Sequence, residues 1–155
     1  MSVRLLSASD GTDALALYAH LVGDQQLGDL TDFAGMVDHP GTQVRGAFEN
    51  GALVAVATLH ILPNITQQGR SYALIENVVT HRDHRGQGFG RAVMNSAMEA
   101  AWAAGCYKIM LLSGKKGQAR GFYEALGFGA DEKWGMTIRR APTRQSNSDT
   151  SQGGA

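Results

Sequence analysis

The chain has 155 residues, 43% of them hydrophobic, which suffices for one domain with a sizeable core and is too short for two. Fourteen basic residues balance fourteen acidic ones, so no global field draws the protein to nucleic acid or to an anionic membrane, and neither is an expected partner. The start, MSVRLLSASD, lacks the apolar core of a signal peptide, and no apolar run approaches the ~20 residues of a membrane span, so a cytoplasmic protein is expected.

In chain order, residues 2–7 (SVRLLS) read as a first strand. Asp10 or Thr12 can cap a helix whose Leu15, Leu17, Tyr18 and Leu21 share roughly one face, and a second short helix follows Thr31. Residues 43–49 and 52–62 flank Asn50-Gly51, the dipeptide best suited to a type I′ turn, which predicts an antiparallel hairpin. Residues 71–81 form the next strand. From Gly90 onward Val93, Met94, Ala97, Met98, Ala101 and Trp102 recur at helical spacing, and Gly105 stands where a helix C-terminal glycine is expected. Cys106, the one cysteine, opens GCYKIMLL and reads as a small buried side chain that excludes an intrachain disulfide. Residues 107–112 read as a buried strand, 117–126 as a helix stopped by Gly127, and 133–140 (KWGMTIRR) as a strand that closes the sheet. The folded domain is expected over 1–142, with 143–155 a disordered polar tail.

The stretch ENVVTHRDHRGQGFGRAV, residues 76–93, carries the chemistry. A strand breaks into a basic loop, Gly86, Gly88 and Gly90 alternate, and a helix begins at once. Glycines there keep side chains out of a tight turn, so backbone N–H groups can converge on one phosphate or pyrophosphate at the helix start. Arg85 and Arg91 flank the loop and suit phosphate oxygens. An ordinary glycine-rich turn gives the same letters. Other phosphate loops fail on spacing. A dinucleotide fingerprint needs glycine where Arg91 stands, a Walker loop needs Ser or Thr where SGKKG has its second lysine, and HRD in HRDHR lacks every companion motif of a kinase. His81 and His84 bracket Asp83 without a third ligand nearby in sequence, so surface histidines are expected rather than a metal site.

Arg85-Gly86-Gln87-Gly88-Phe89-Gly90, read as R-x-x-G-x-G after a strand, resembles the acetyl-CoA-binding motif of the GNAT superfamily of N-acetyltransferases. GFYEALGF, residues 121–128, is similar to that family's FYxxxGF helix. Within the superfamily, IENVV, RGQGFGR, GCYKIMLL and GFYEALGF look most like the glucosamine 6-phosphate N-acetyltransferases. This chain departs from that group with Asn77 for its Asp, and with Leu112-Ser113 for its Asp-Cys. The resemblance implies an α/β (α+β) fold: a mixed, mostly antiparallel twisted sheet of six to seven strands, about four flanking helices, and a splay at the strand before the phosphate loop. It also implies acetyl-CoA as cosubstrate, no metal, a small-molecule amine acceptor and a homodimer, with the apolar WGMTI as one candidate pairing edge.

Site roles follow from the same resemblance. An amine with a lysine-like pKa near 10.4 is about 3 units too basic to be free at neutral pH, a deficit of roughly 4 kcal/mol, so a base is needed. Glu76 is the expected base, directly or through a water, although it also fits a solvated strand face. Tyr123 is the expected proton donor to the leaving thiolate; it also fits a core aromatic beside Phe122 and Phe128. Backbone amides of Val78, Val79 and Thr80 are expected to serve the oxyanion and the pantetheine arm. Residues 85–91, Arg85, Gly86, Gln87, Gly88, Phe89, Gly90 and Arg91, are expected to hold the pyrophosphate. Ser113, Gln118 and Arg120 lie where relatives touch the pantetheine arm or the adenosine phosphate. Residues 23–43 are acidic with few bulky apolar side chains, and are expected to wall the acceptor site in favour of a polar cation. Two other functions fit the same motifs: a protein acetyltransferase for lysine or an N-terminus, and a non-catalytic acyl-CoA-binding domain.

Overall fold

The computed structural model of the chain describes residues 1–22, 27–114 and 119–140. It divides into two compact units, Met1–Gly117 and Gln118–Ala155. The expected tail, 143–155, lies outside the described residues.

The first unit is built on a five-stranded sheet in the order β1-β2-β3-β4-β5. Its strands are β1 (Ser2–Leu5), β2 (Thr42–Glu49), β3 (Ala52–Leu62), β4 (Tyr72–Thr80) and β5 (Ile109–Met110). The first four are antiparallel and β5 is parallel to β4, because α3 (Phe89–Ala103) carries the chain back across the sheet between them. In the predicted hairpin Asn50 and Gly51 take φ of 49° and 86°, the paired positive values that a type I′ turn requires. Pairing of β4 with β5 runs over Ala73↔Ile109 and Leu74↔Met110, so the two strands are paired only ahead of Glu76. That is the expected splay.

Six consecutive residues of β3, Val54 to Leu59, are buried, so both faces of the sheet are covered. Side chains alternate. On one face Val44, Val56 and Val79 pack with Leu6, with Ala14, Leu17 and Tyr18 of α1 (Gly11–Val22), and with Phe33 of α2 (Leu30–Val37). Against the other lies α3, whose Phe89, Val93, Met94, Ala97 and Ala101 are buried, as is Cys106 after it. Burial pushes the Cys106 thiol up from its ordinary pKa, which keeps it protonated and unreactive.

Three expectations are corrected. The chain enters α1 through a 3-10 turn, Ala8–Asp10: Asp10 accepts from the Ser7 N–H at 2.9 Å and binds Arg4 at 2.6 Å, so it anchors the turn, while Leu21 is exposed. The strand over 107–112 contracts to two half-buried residues. Residues 133–140 form no strand. Trp134, Met136 and Ile138 are 90%, 90% and 99% exposed, since period-2 alternation makes a strand only where a neighbouring strand accepts its hydrogen bonds. Among the described residues the sheet therefore has five strands rather than six or seven.

The second unit contains α4 (Ala119–Glu124). Gly127, φ 94°, donates to the Glu124 carbonyl and Phe128 N–H to that of Tyr123, while the Tyr123 and Phe128 rings meet edge-on at 6.2 Å. This is a Schellman ending with its apolar contact, and it explains the spacing of FYxxxGF in purely local terms.

Candidate active site

Glu76 stands where β4 changes register. Thr58 pairs with Glu76 but Val56 with Val79, so Asn77 and Val78 face the single residue Ala57. Such a bulge leaves the extra residue out of the ladder and bends the strand. Asn77 takes φ 51°, a left-handed conformation that Asn and Asp tolerate better than other side chains. Glu76 is half-buried on the sheet face that α1 and α2 cover. Beside it the buried Thr58 hydroxyl lies 3.2 Å from the Tyr18 hydroxyl, and burial pushes that phenol up from its ordinary pKa against the opposing effect of the Thr58 hydrogen bond.

Next to Glu76, Asn77 joins Leu15, Tyr18, Leu27, Phe33 and Met36 around a groove of about 250 Å³. Asp29 and Asp32 also line it, and both stiffen its wall: Asp29 accepts from the N–H groups of Thr31 and Asp32, and Asp32 accepts from that of Asp29, a reciprocal cap on α2. The expected wall over residues 23–43 is thus more apolar at its floor than its composition suggested. Its first residues, 23–26, lie outside the described residues.

Beyond β4 the chain makes a 3-10 turn, Arg82–His84, then the glycine loop. Gly86 and Gly88 have φ of 75° and 91°, with open space where a Cβ would stand, so their need for glycine is conformational and the loop surface is clear. Gly88 caps α3, so the first backbone N–H groups of the helix lie at the glycine loop. The Phe89 ring itself is core, leaving only its backbone to the loop. Side chains brace the turn from behind. Arg85 Nε donates to the Thr80 carbonyl at 3.3 Å, and Gln87 Nε2 to that of Asp83 at 2.9 Å. His84 Nε2 lies 3.1 Å from Glu49 Oε2, tying the loop to the end of β2, and the rings of His20, His81, His84 and Phe89 follow one another edge to face. His81 and His84 are therefore packing residues, not merely solvated ones. Among the described residues no group of three or more metal-ligating side chains converges.

The first unit brings together Glu76, Val78, Val79, Thr80 and the loop from Arg85 to Arg91, all on β4 and the segment that follows it. Val79 contributes its side chain to the core. Ser113 is exposed beyond β5. Gln118 lies outside the described residues, and Arg120 and Tyr123 belong to the second unit. There Arg120 pairs with Glu124 at 2.7 Å, and Tyr123 stacks edge-on with Phe122 and Phe128. Sequence reasoning missed Thr58, His60, Thr42 and Glu49, whose sites depend on strand register.

The Acetyltransferase (GNAT) family profile matches residues 7–128. A Trypanosoma brucei brucei protein named glucosamine 6-phosphate N-acetyltransferase is 36% identical over 137 residues, covering 86% of this chain and 92% of its own. Among solved structures, a protein described as an acetyltransferase from Agrobacterium tumefaciens str. C58 superposes with a TM-score of 0.83 at 41% identity, over 90% of this chain and 100% of its own. A Trypanosoma brucei acetyltransferase does so with 0.76 at 33%, over 89% and 99%. No helix among the described residues is long and apolar enough to cross a membrane. On the profile match, the relatives and the shared fold, the chain belongs to the GNAT family and is a GNAT-type N-acetyltransferase.

Proposed function

We propose that the enzyme moves the acetyl group of acetyl-CoA onto the primary amine of a small polar molecule, by direct attack in a ternary complex. The pyrophosphate binds the loop from Arg85 to Arg91 on the open glycine surface and the first N–H groups of α3. The amides of Val78 and Thr80, on the edge of β4 away from β3, serve the thioester oxygen and the pantetheine arm, with Ser113 beyond, while the Val79 N–H faces β3. Glu76 takes the proton that the attacking ammonium must lose; as the tetrahedral intermediate collapses, the Tyr123 phenol gives a proton to the departing thiolate and the second proton lost by the nitrogen restores the phenol. The acceptor enters the groove beside Asn77. Because a relative carries the name, glucosamine 6-phosphate is the first acceptor to try. Asn77 is compatible with it, since both Asn and Asp tolerate the left-handed bulge position.

The observation that carries this reading is the bulge: it sets a half-buried carboxylate, Glu76, one residue before the point at which β4 bends and four before the strand ends at the loop. Acetyl-CoA turnover with glucosamine 6-phosphate, amino acids, polyamines and aminoglycosides, followed by free thiol, tests it. Glu76→Gln should lower kcat about 10²–10⁴-fold with acetyl-CoA affinity intact, and raising pH should partly restore it by freeing the amine without help. Tyr123→Phe should lower kcat comparably without rescue at high pH. Wild-type turnover by both variants from about pH 6 to 9 would leave positioning and the oxyanion contact as the whole of catalysis. We also propose a cytoplasmic homodimer. The exposed alternation of Trp134, Met136 and Ile138 supports pairing, and sedimentation at 16.5 kDa over a wide concentration range would refute it.

A further inference from the structure

Glu76 must release each proton it takes, and the sheet carries a row of polar side chains from it to the surface. Thr42, Val44, Val56, Thr58 and His60 lie at even spacing on β2 and β3, on the face that α1 and α2 cover. Glu76 pairs with Thr58, and His60 is the next residue along β3 on that face, a diagonal neighbour within reach of long side chains. His60 in turn pairs with Thr42 across the hairpin, and its Nδ1 is 3.0 Å from Thr42 Oγ1. On its other side Thr42 Oγ1 is 3.3 Å from Nδ1 of His39, whose backbone carbonyl accepts from the Thr42 N–H at 3.0 Å. Thr42 is buried and His39 is exposed.

The hydroxyl has one proton and two imidazole neighbours, so it donates to one ring and accepts from the other. Exchange of those roles moves a proton along the row. The titratable groups facing His60 are Glu76 on β4 and His39 before β2. Burial is the main influence holding the His60 pKa below its ordinary value, the Glu76 charge raises it and His39 lowers it, so His60 senses the ionisation of Glu76.

We propose that His60, Thr42 and His39 form a proton exit for Glu76. In each turnover the acceptor's N–H pair stays on nitrogen while its proton bonds to a Glu76 oxygen. Glu76 passes that proton to His60, His60 Nδ1–H gives one to Thr42 Oγ1, the Thr42 O–H gives its own to His39 Nδ1, and His39 loses one to solvent. One proton enters and one leaves, and rotation of the Thr42 hydroxyl with tautomer exchange in the two rings restores the starting state. The three side chains touch no substrate; they act through Glu76, so the inference rests on the base assigned above.

The test uses the full chain and glucosamine 6-phosphate, with the histidine NMR titration as an arm that needs no acceptor. Thr42→Val, which keeps the shape and removes the hydroxyl, should lower kcat about tenfold with the KM for acetyl-CoA unchanged, Thr42→Ser should restore it, and the surface change His39→Gln should repeat the loss. Added imidazole should partly rescue His39→Gln. In Glu76→Gln the His60 titration midpoint should fall. An unmoved midpoint, or wild-type kcat in Thr42→Val and His39→Gln beside an impaired Glu76→Gln, would overturn the relay alone. Full activity of Glu76→Gln would remove the base and the relay together.

Discussion

Helices α3 and α4 end alike. In α3 the N–H of Gly105, φ 75°, donates to the Trp102 carbonyl and that of Cys106 to Ala101; in α4 Gly127 and Phe128 repeat the pattern on Glu124 and Tyr123. Everything before those endings differs. The first helix has 15 residues, five of them fully buried against the sheet, whereas the second has six and none buried. A helix this short is unstable by itself in water, and what holds α4 locally is its cap, the edge-on rings and the exposed Arg120–Glu124 pair. The same local motif thus serves two physical roles. It trims a long helix whose buried face already packs on the sheet, and it helps define a short one that has no buried residue.

Substitutions can break this contrast. The largest effect is expected from Met94→Ala, which empties a fully buried site on α3 and should lower the stability of the first unit by about 2–5 kcal/mol in urea unfolding. Gly105→Ala places a Cβ at positive φ and should cost about 1–2 kcal/mol in the same transition. Asp10→Asn should cost about 1 kcal/mol at pH 7, since it weakens the Ser7 cap and the Arg4 pair. The Arg4 guanidinium holds the Asp10 carboxyl well below the usual carboxylate range. Its contribution is therefore complete above the unfolded pKa near 4 and is lost as pH falls through the lower folded value, so wild type and Asp10→Asn should converge in strong acid. The smallest global effect is expected from Gly127→Ala. It should leave the main transition within about 0.5 kcal/mol while hydrogen exchange in α4 accelerates. If Gly127→Ala instead unfolds the first unit, the two endings are not independent.

Local pattern made much of the fold legible. Asn50-Gly51 marks the hairpin, the glycine alternation marks the loop, and the spacing of Val93, Met94, Ala97 and Ala101 marks the buried face of α3. What stayed hidden depends on strand register. Counting outward from the turn pairs Glu49 with Ala52 and Phe48 with Leu53, and would set Thr42 against Leu59 on the wrong face. A bulge between Ala47 and Phe48 shifts the pairing by one, and Thr42 meets His60 instead. No residue in AFENG announces that bulge. The second bulge, at Asn77, is marked only by a side chain tolerant of positive φ. The strand expected over 133–140 failed for the opposite reason: its pattern is clear, but a pattern does not supply a partner.

The type I′ turn also bears on the order in which the chain folds. Hairpins close within microseconds, whereas joining β5 to β4 waits for the whole of α3 to cross the sheet, a loop with far greater closure entropy. Thr42 and His60, opposite each other in the hairpin, should therefore meet early, before Glu76 is aligned beside them. Conservative changes near the turn, such as Val56→Ala, should mainly slow folding, and Ile109→Val in β5 should mainly speed unfolding. Equal φ-values at the two positions would mean that the sheet condenses as one piece, with no hairpin to template it.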